Sequence, residues 1–260
     1  MIKNKLIFTF LLHAIGILGI VLLSSSCKKD TGNTVEPYIV DTTKNVSWSL
    51  VFQDNFDSTA LNPSSWYIYN GAGHAGNGLR SPSAVSVANG ILTITAQMVN
   101  NQLVSAGIAN TSNYQYGKFE FRVRADADSS GATSAVVLTW PQSEKWPDDG
   151  ENDIFETYSD INPYRTFFET NILSGLPLNH WAKQIYNLDV KQWHVVSMEW
   201  DPTYIKIYAD GVLMWSLMIK SWIPQVPHHL CIQLDAFKTI MTGSTRMQVD
   251  WVKIYKRVVN

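Results

Sequence analysis

From Tyr116 to Arg124 the chain alternates apolar and polar side chains with a period of two. Phe119, Phe121 and Val123 fall on one side and Lys118, Glu120, Arg122 and Arg124 on the other. That is the signature of a strand with one face in the core and one in water. The same reading recurs along the chain. Ile91 to Thr95 alternates after an Asn89-Gly90 hairpin signal. Trp193–Pro202 and Tyr204–Leu213 form a strand pair with an Asp210-Gly211 turn, and Met247–Tyr255 reads as a closing strand. Gly131 to Trp140 is almost continuously apolar, as expected of a strand buried on both faces. Strands at short spacing with turn signals between them, and almost no helical period, predict an all-β, antiparallel β-sandwich.

One stretch does not fit a simple alternation. Lys145-Trp146-Pro147-Asp148-Asp149-Gly150-Glu151-Asn152-Asp153-Ile154-Phe155-Glu156 crowds acids around an apolar pair. A solvated acidic turn has no reason to carry Ile154 and Phe155. In a strand Glu151 and Asp153 share a face, Asn152 and Ile154 take the other, and Glu156 lands on the wrong side. One bulge between Asp153 and Glu156 restores it and lines up three carboxyls on one surface. A calcium-binding helix–loop–helix register is excluded, because Lys145 and Pro147 would stand where oxygen ligands belong.

Paired carboxyls about 5–5.5 Å apart hydrolyse a glycosidic bond with retention, one attacking the sugar carbon and the other protonating the leaving oxygen. Crowded carboxylates do not all ionise easily, so a proton is held among them. The reading assigns Glu151 as nucleophile, Glu156 as acid/base and Asp153 as the group that orients and tunes them. Trp146 and Trp140 suit stacking against a sugar ring. Arg80, in the Gly-rich stretch 69–82, is a candidate for sugar hydroxyls, and Asn179-His180-Trp181 offers His180 and Trp181 as further binding groups.

Trp-Pro-x-x-Gly-Glu-x-Asp-x-x-Glu resembles the catalytic strand of glycoside hydrolase family 16, the laminarinase-like β-glucanases, in its bulged branch. Val51–Asp57, Leu61–Trp66, Tyr116–Glu120, Trp193–Leu213 and Met247–Tyr255 are similar to other family segments in the same order. The resemblance implies a concanavalin A-like jelly roll with a concave substrate groove, over 47–260. It implies an endo-acting retaining hydrolase of a β-linked polysaccharide, most simply a β-1,3-glucan. A surface glycan-binding protein and a transglycosylase on the same fold are the alternatives. Glucan, galactan and sulfated galactan stay open, with specificity expected in loops around 69–82 and 160–185. The chain departs from the pattern at Asn152, where an aliphatic residue is usual; it should point away from the groove and either cost packing or demand a hydrogen-bond partner. It departs again at Leu173, where Thr-Asn-x-His would place a histidine, and at Asn55. The resemblance implies no required cofactor; Asp250 is a candidate ligand for a structural calcium.

Composition narrows the partners. Of 260 residues 45% are hydrophobic and 16% charged, with net charge −2. This is enough for one sizeable core, and without a basic excess no nucleic-acid partner is expected. Neither Gly-x-Ser-x-Gly nor His-Glu-x-x-His occurs, and no Cys/His metal spacing appears. A basic start, an apolar run from Leu6 to Leu23 and Ser24-Ser25-Ser26-Cys27 read as a secretory signal of the lipoprotein kind over 1–26. A membrane-spanning helix is the rival. Lipidation of Cys27 would anchor the chain by acyl chains, with 27–46 as a polar tether, at the periplasmic or outer face of an outer membrane. Cys231 is then left without a partner, and a monomer is expected.

Overall fold

The computed structural model describes residues 46–175 and 180–258, with the side chain of His180 outside that description. The proposed signal, Cys27 and nearly all of the tether lie outside the described residues. Two antiparallel sheets pack face to face, as the alternation predicts. In one, the strands run in the order Val212–Leu217, Tyr204–Ala209, His194–Asp201, Gly117–Ala125 and Ser244–Val258. The long Ser244–Val258 strand then pairs with Ile91–Val99 along its first half and Ser47–Asp54 along its second. The other sheet runs His180–Asn187, Phe167–Ser174, Glu151–Tyr158, Thr133–Pro141, His228–Ala236, Gln102–Asn110 and Trp66–Ile68. Gln102–Asn110 belongs to both sheets: its first residues pair with Ile91–Val99 and its later ones with His228–Ala236. This is a jelly-roll sandwich.

The local reasons are those of the sequence. Phe119, Phe121 and Val123 are buried while Lys118, Glu120, Arg122 and Arg124 are partly exposed on the outer face. Thr133–Pro141 is buried along nearly its whole length: strands flank both of its edges, one face packs in the core and the other lies on the floor of a groove. Asn89 and Gly90 both take positive φ, at 54° and 74°, the backbone that a tight two-residue hairpin demands. The segment 160–185 differs from expectation. Much of it is two strands, Phe167–Ser174 and His180–Asn187, which widen the second sheet. Its register comes from pairing across the sheet, which a polar edge sequence does not announce.

Glu151–Tyr158 carries the predicted bulge. Asp153 pairs with Leu138 and Phe155 with Val137, leaving Ile154 as the extra residue. The shift appears against the other neighbour too, between Asp153 and Glu156. Its cause is burial. Strict alternation would turn either Ile154 or Phe155 toward the groove, whereas the bulge sends both into the core, where each is 0% exposed. Burying a side chain of that size contributes about 1.5–3 kcal/mol. Phe155 packs on Phe168, ring centroids 5.2 Å apart, and Phe168 on Tyr186 at 4.8 Å.

Candidate active site

The outer face of the second sheet forms the floor of a groove of about 800 Å³, into which Glu151, Asp153 and Glu156 all project. Gly150 delivers the first of them. Its φ is +82°, and a Cβ there would meet Pro224 at 2.7 Å and the Leu173 carbonyl at 2.8 Å. Only glycine fits that turn into the strand.

The three carboxyls have different surroundings. Glu151 accepts a hydrogen bond from the Trp146 indole at 2.8 Å. Burial raises its pKa, and hydrogen bonds with Asp153 and Trp146 oppose the rise. Asp153 is buried and flanked on both sides. Desolvation, then the charges of Glu151 and Glu156, hold its pKa well above the ordinary aspartate value, which disfavours its charged form. Glu156 accepts from the Tyr158 hydroxyl at 2.6 Å, from Ser134 at 3.0 Å and from the Asn171 amide at 3.3 Å. Burial nonetheless pushes it up to about 7. The row thus holds one carboxyl poised to titrate near neutrality and, between it and Glu151, one whose charged form is disfavoured.

Asn152 points away from the groove, as expected, and finds a partner. Its amide donates to Thr139 Oγ1 at 2.9 Å. Thr139 Oγ1 lies 3.1 Å from His228 Nδ1, and His228 Nε2 lies 3.0 Å from the Asp149 carbonyl. Burial pushes His228 down to about 4. The ring is therefore neutral at ordinary pH. Nε2 faces the Asp149 carbonyl, and Nδ1 faces both the Thr139 hydroxyl and, at 3.2 Å, the Thr139 carbonyl. The chain on either side of Glu151 is pinned from beneath by this network.

The proposed binding residues divide. Trp146 is 45% exposed at the mouth beside Glu151, and Trp181 is 57% exposed on the outermost strand. The Trp181 indole donates to Asn171 Oδ1 at 3.1 Å, the same Asn171 whose amide reaches Glu156. Trp140 lines the groove with its indole bonded to Glu144 at 2.8 Å. Arg80 also lines the groove, but its guanidinium is taken up by Asp235, with two bonds of 2.8 Å, and by Gln233 at 2.8 Å. It lies over the Tyr69 ring at 5.1 Å. These contacts brace the groove wall. His180 begins the strand beside Ser174.

Leu173 pairs with Glu151, whereas Asn171, across from Asp153, is the residue of that strand that reaches Glu156. Asp250 is far from any such constellation. It is ion-paired with Arg122 on the first sheet, and among the described residues no three His, Cys, Asp or Glu side chains converge on a metal position. Cys231 is fully buried, with its sulfur 3.2 Å from the Tyr69 hydroxyl. Sequence reasoning missed Tyr158, Ser134 and Asn171. Tyr158, two residues after Glu156, was findable from the strand period; the other two depend on register.

Comparison with known proteins agrees with this architecture. The family model described as glycosyl hydrolases family 16 matches residues 75–253. A beta-glucanase of Paenibacillus polymyxa is 26% identical over 166 residues, covering 59% of this chain and 65% of that protein. A beta-glucanase of Rhodothermus marinus is 26% identical over 196 residues, covering 65% of each. The chain thus spans just under two thirds of the length of these curated relatives. In three dimensions, the solved laminarinase from Rhodothermus marinus aligns with a TM-score of 0.72 at 22% identity, over 83% of this chain and 100% of that one, a likeness of fold.

Proposed function

Because the chain belongs to glycosyl hydrolases family 16, we propose that it is an endo-acting glycosidase that cleaves a β-linked polysaccharide, a β-1,3-glucan first, with retention of configuration. The observation that carries this reading is the bulged strand, which aims Glu151, Asp153 and Glu156 into one groove with different protonation. Glu151 attacks the anomeric carbon as the glycosidic C–O bond breaks, and Glu156 gives its proton to the leaving oxygen. The resulting glycosyl ester on Glu151 is then hydrolysed by a water that loses its proton to Glu156, which returns both groups to their starting states. Asp153, protonated, hydrogen-bonds Glu151 and stabilises its charge. Trp146, exposed at the groove, and Trp181, exposed on the outermost strand and bonded to Asn171, are surfaces for sugar rings.

The open groove favours cutting within a polymer. The name beta-glucanase borne by the relatives supports a glucan over a galactan. The Ser-Ser-Ser-Cys27 stretch supports anchoring by lipid at the outer membrane, which labelling with a radioactive fatty acid, lost in Cys27→Ala, would check.

The test is reducing-sugar release by the purified protein on laminarin, mixed-linkage glucan, agarose and carrageenan, with Glu151→Gln alongside and the anomer of the first product read by NMR. Release of β-anomeric oligosaccharide from laminarin, abolished in the variant, is expected. An inverted product, or full activity in Glu151→Gln, would sink the mechanism. Tight binding of laminarin without turnover would turn the reading into a glycan-binding protein.

A further inference from the structure

A fourth carboxyl shares the face of the catalytic row, and the mechanism above does not use it. Glu169, in the strand Phe167–Ser174, stands directly across the ladder from Glu156. Directly opposed residues in an antiparallel pair put their side chains on the same side, with Cβ atoms about 4.5–5.5 Å apart. Glu169 is only 1% exposed. Among the described residues its one close cation is Lys183, whose Nζ lies 2.6 Å from Oε2. Lys183 sits on the next strand, His180–Asn187, and is itself 36% exposed. Among the described residues no hydroxyl, amide or backbone N–H satisfies either Glu169 oxygen.

Such an arrangement is costly for packing alone. A buried ion pair with unsatisfied oxygens is commonly no more stable than the apolar residues that could replace it. Ile185, the residue paired with Glu169 on its other side, shows that the sheet accepts an apolar side chain at this level. What the pair does supply is a carboxyl group toward Glu156, ion-paired with a cation on the next strand.

We propose that Glu169, held by Lys183, is a tuning residue of the acid/base: its buried charge faces Glu156 and keeps the proton there until a leaving oxygen takes it. This rests on the assignment of Glu156 as acid/base. The other groups that face Glu156 are Glu151, Asp153 and Tyr158 on its own strand, Asp235 on His228–Ala236, and the non-titrating Ser134 on Thr133–Pro141 and Asn171 on Phe167–Ser174. The charges of both Glu151 and Glu169 act to raise Glu156, after burial.

The test has two readouts on the purified full chain. The first is the Glu156 carboxyl titration, followed by NMR of protein with carbon-13 in its glutamate carboxyls and assigned by loss of the signal in Glu156→Gln. The second is the alkaline limb of kcat/KM on laminarin. Glu169→Gln, nearly isosteric, removes the opposing charge and leaves Lys183 positive. Both readouts are expected to move down by about one pH unit, the size set by charges several ångströms apart at an effective dielectric of about 20–40. Lys183→Met, which leaves the carboxylate and removes the cation, is expected not to move them down. A Glu156 titration unchanged in folded Glu169→Gln, with cooperative melting as the check on folding, overturns the proposal. So does a downward shift of equal size in both variants. If laminarin is not cut but the Glu156 titration still shifts, the tuning stands and the glucanase reading falls.

Discussion

Replacing Trp146 by Phe separates two duties that one side chain holds. Phe keeps an aromatic face at the mouth of the groove and removes the indole N–H that donates to Glu151 at 2.8 Å. A hydrogen bond to a charged group is worth about 1.5–3 kcal/mol. Trp146 is 45% exposed, so water competes for the carboxylate and the low end applies, about 1.5 kcal/mol. At 1.36 kcal/mol per unit, that loss raises the pKa at which Glu151 ionises by about one unit. The bond favours the charged form, so removing it disfavours that form. The acid limb of kcat/KM on laminarin then moves up by about one pH unit, while the alkaline limb stays. Because Glu151 and Asp153 are hydrogen-bonded neighbours, the limb belongs to the pair. The assay is initial-rate reducing-sugar release across pH, with KM and kcat separated. An acid limb that does not move, with KM raised several-fold, would refute the argument and leave Trp146 as a stacking surface alone.

Other consequences follow from the same geometry. Glu156 titrates at about 7 in the folded chain against 4.5 in the unfolded one, so ionising it penalises folding fully above pH 7 and not at all below pH 4.5. Glu156→Gln should therefore melt several degrees higher than the parent at pH 8, with a gap of up to about 3 kcal/mol, and at nearly the same temperature at pH 4; an equal gap at both would exclude the charge as its cause. Asn152 is fully buried with Oδ1 unpartnered. Asn152→Leu gives up one hydrogen bond and relieves that orphan, so the melting temperature should rise by about 2–4 °C, as expected for about 1 kcal/mol in a chain of this size, with activity retained; a fall would show that the polar network needs its amide. Gly107→Ala places a Cβ 2.5 Å from Tyr69 Cδ2 and 2.9 Å from Gln233 Cγ. Tyr69 must then leave its position over Cys231, so the thiol should react with a disulfide reagent at least tenfold faster and KM should rise; an inert thiol would place the adjustment elsewhere.

The acidic stretch was readable because its chemistry is local. Ile154 and Phe155 side by side among acids cannot both be buried in a regular strand, and the bulge that resolves this is the one found. The inward turn of Asn152 followed from the same period, and so did its need for a partner, which proved to be Thr139. What touches Glu156 was harder to read. Tyr158 was within reach of the period, but Ser134 and Asn171 arrive from neighbouring strands whose register no local pattern encodes. The partner that braces Arg80 was not legible either, because Asp235 lies 155 positions away along the chain.

By itself, then, the order of residues determined the elements, the buried face of each strand and the identity of the three carboxyls, since these depend on a side-chain period and on turns a few residues long. The tertiary structure alone decided how differently those carboxyls are surrounded, that Asn171 rather than Leu173 meets Glu156, and that Glu169 faces it. Those outcomes come from cross-strand register and burial, and both arise only when distant segments pair and exclude water.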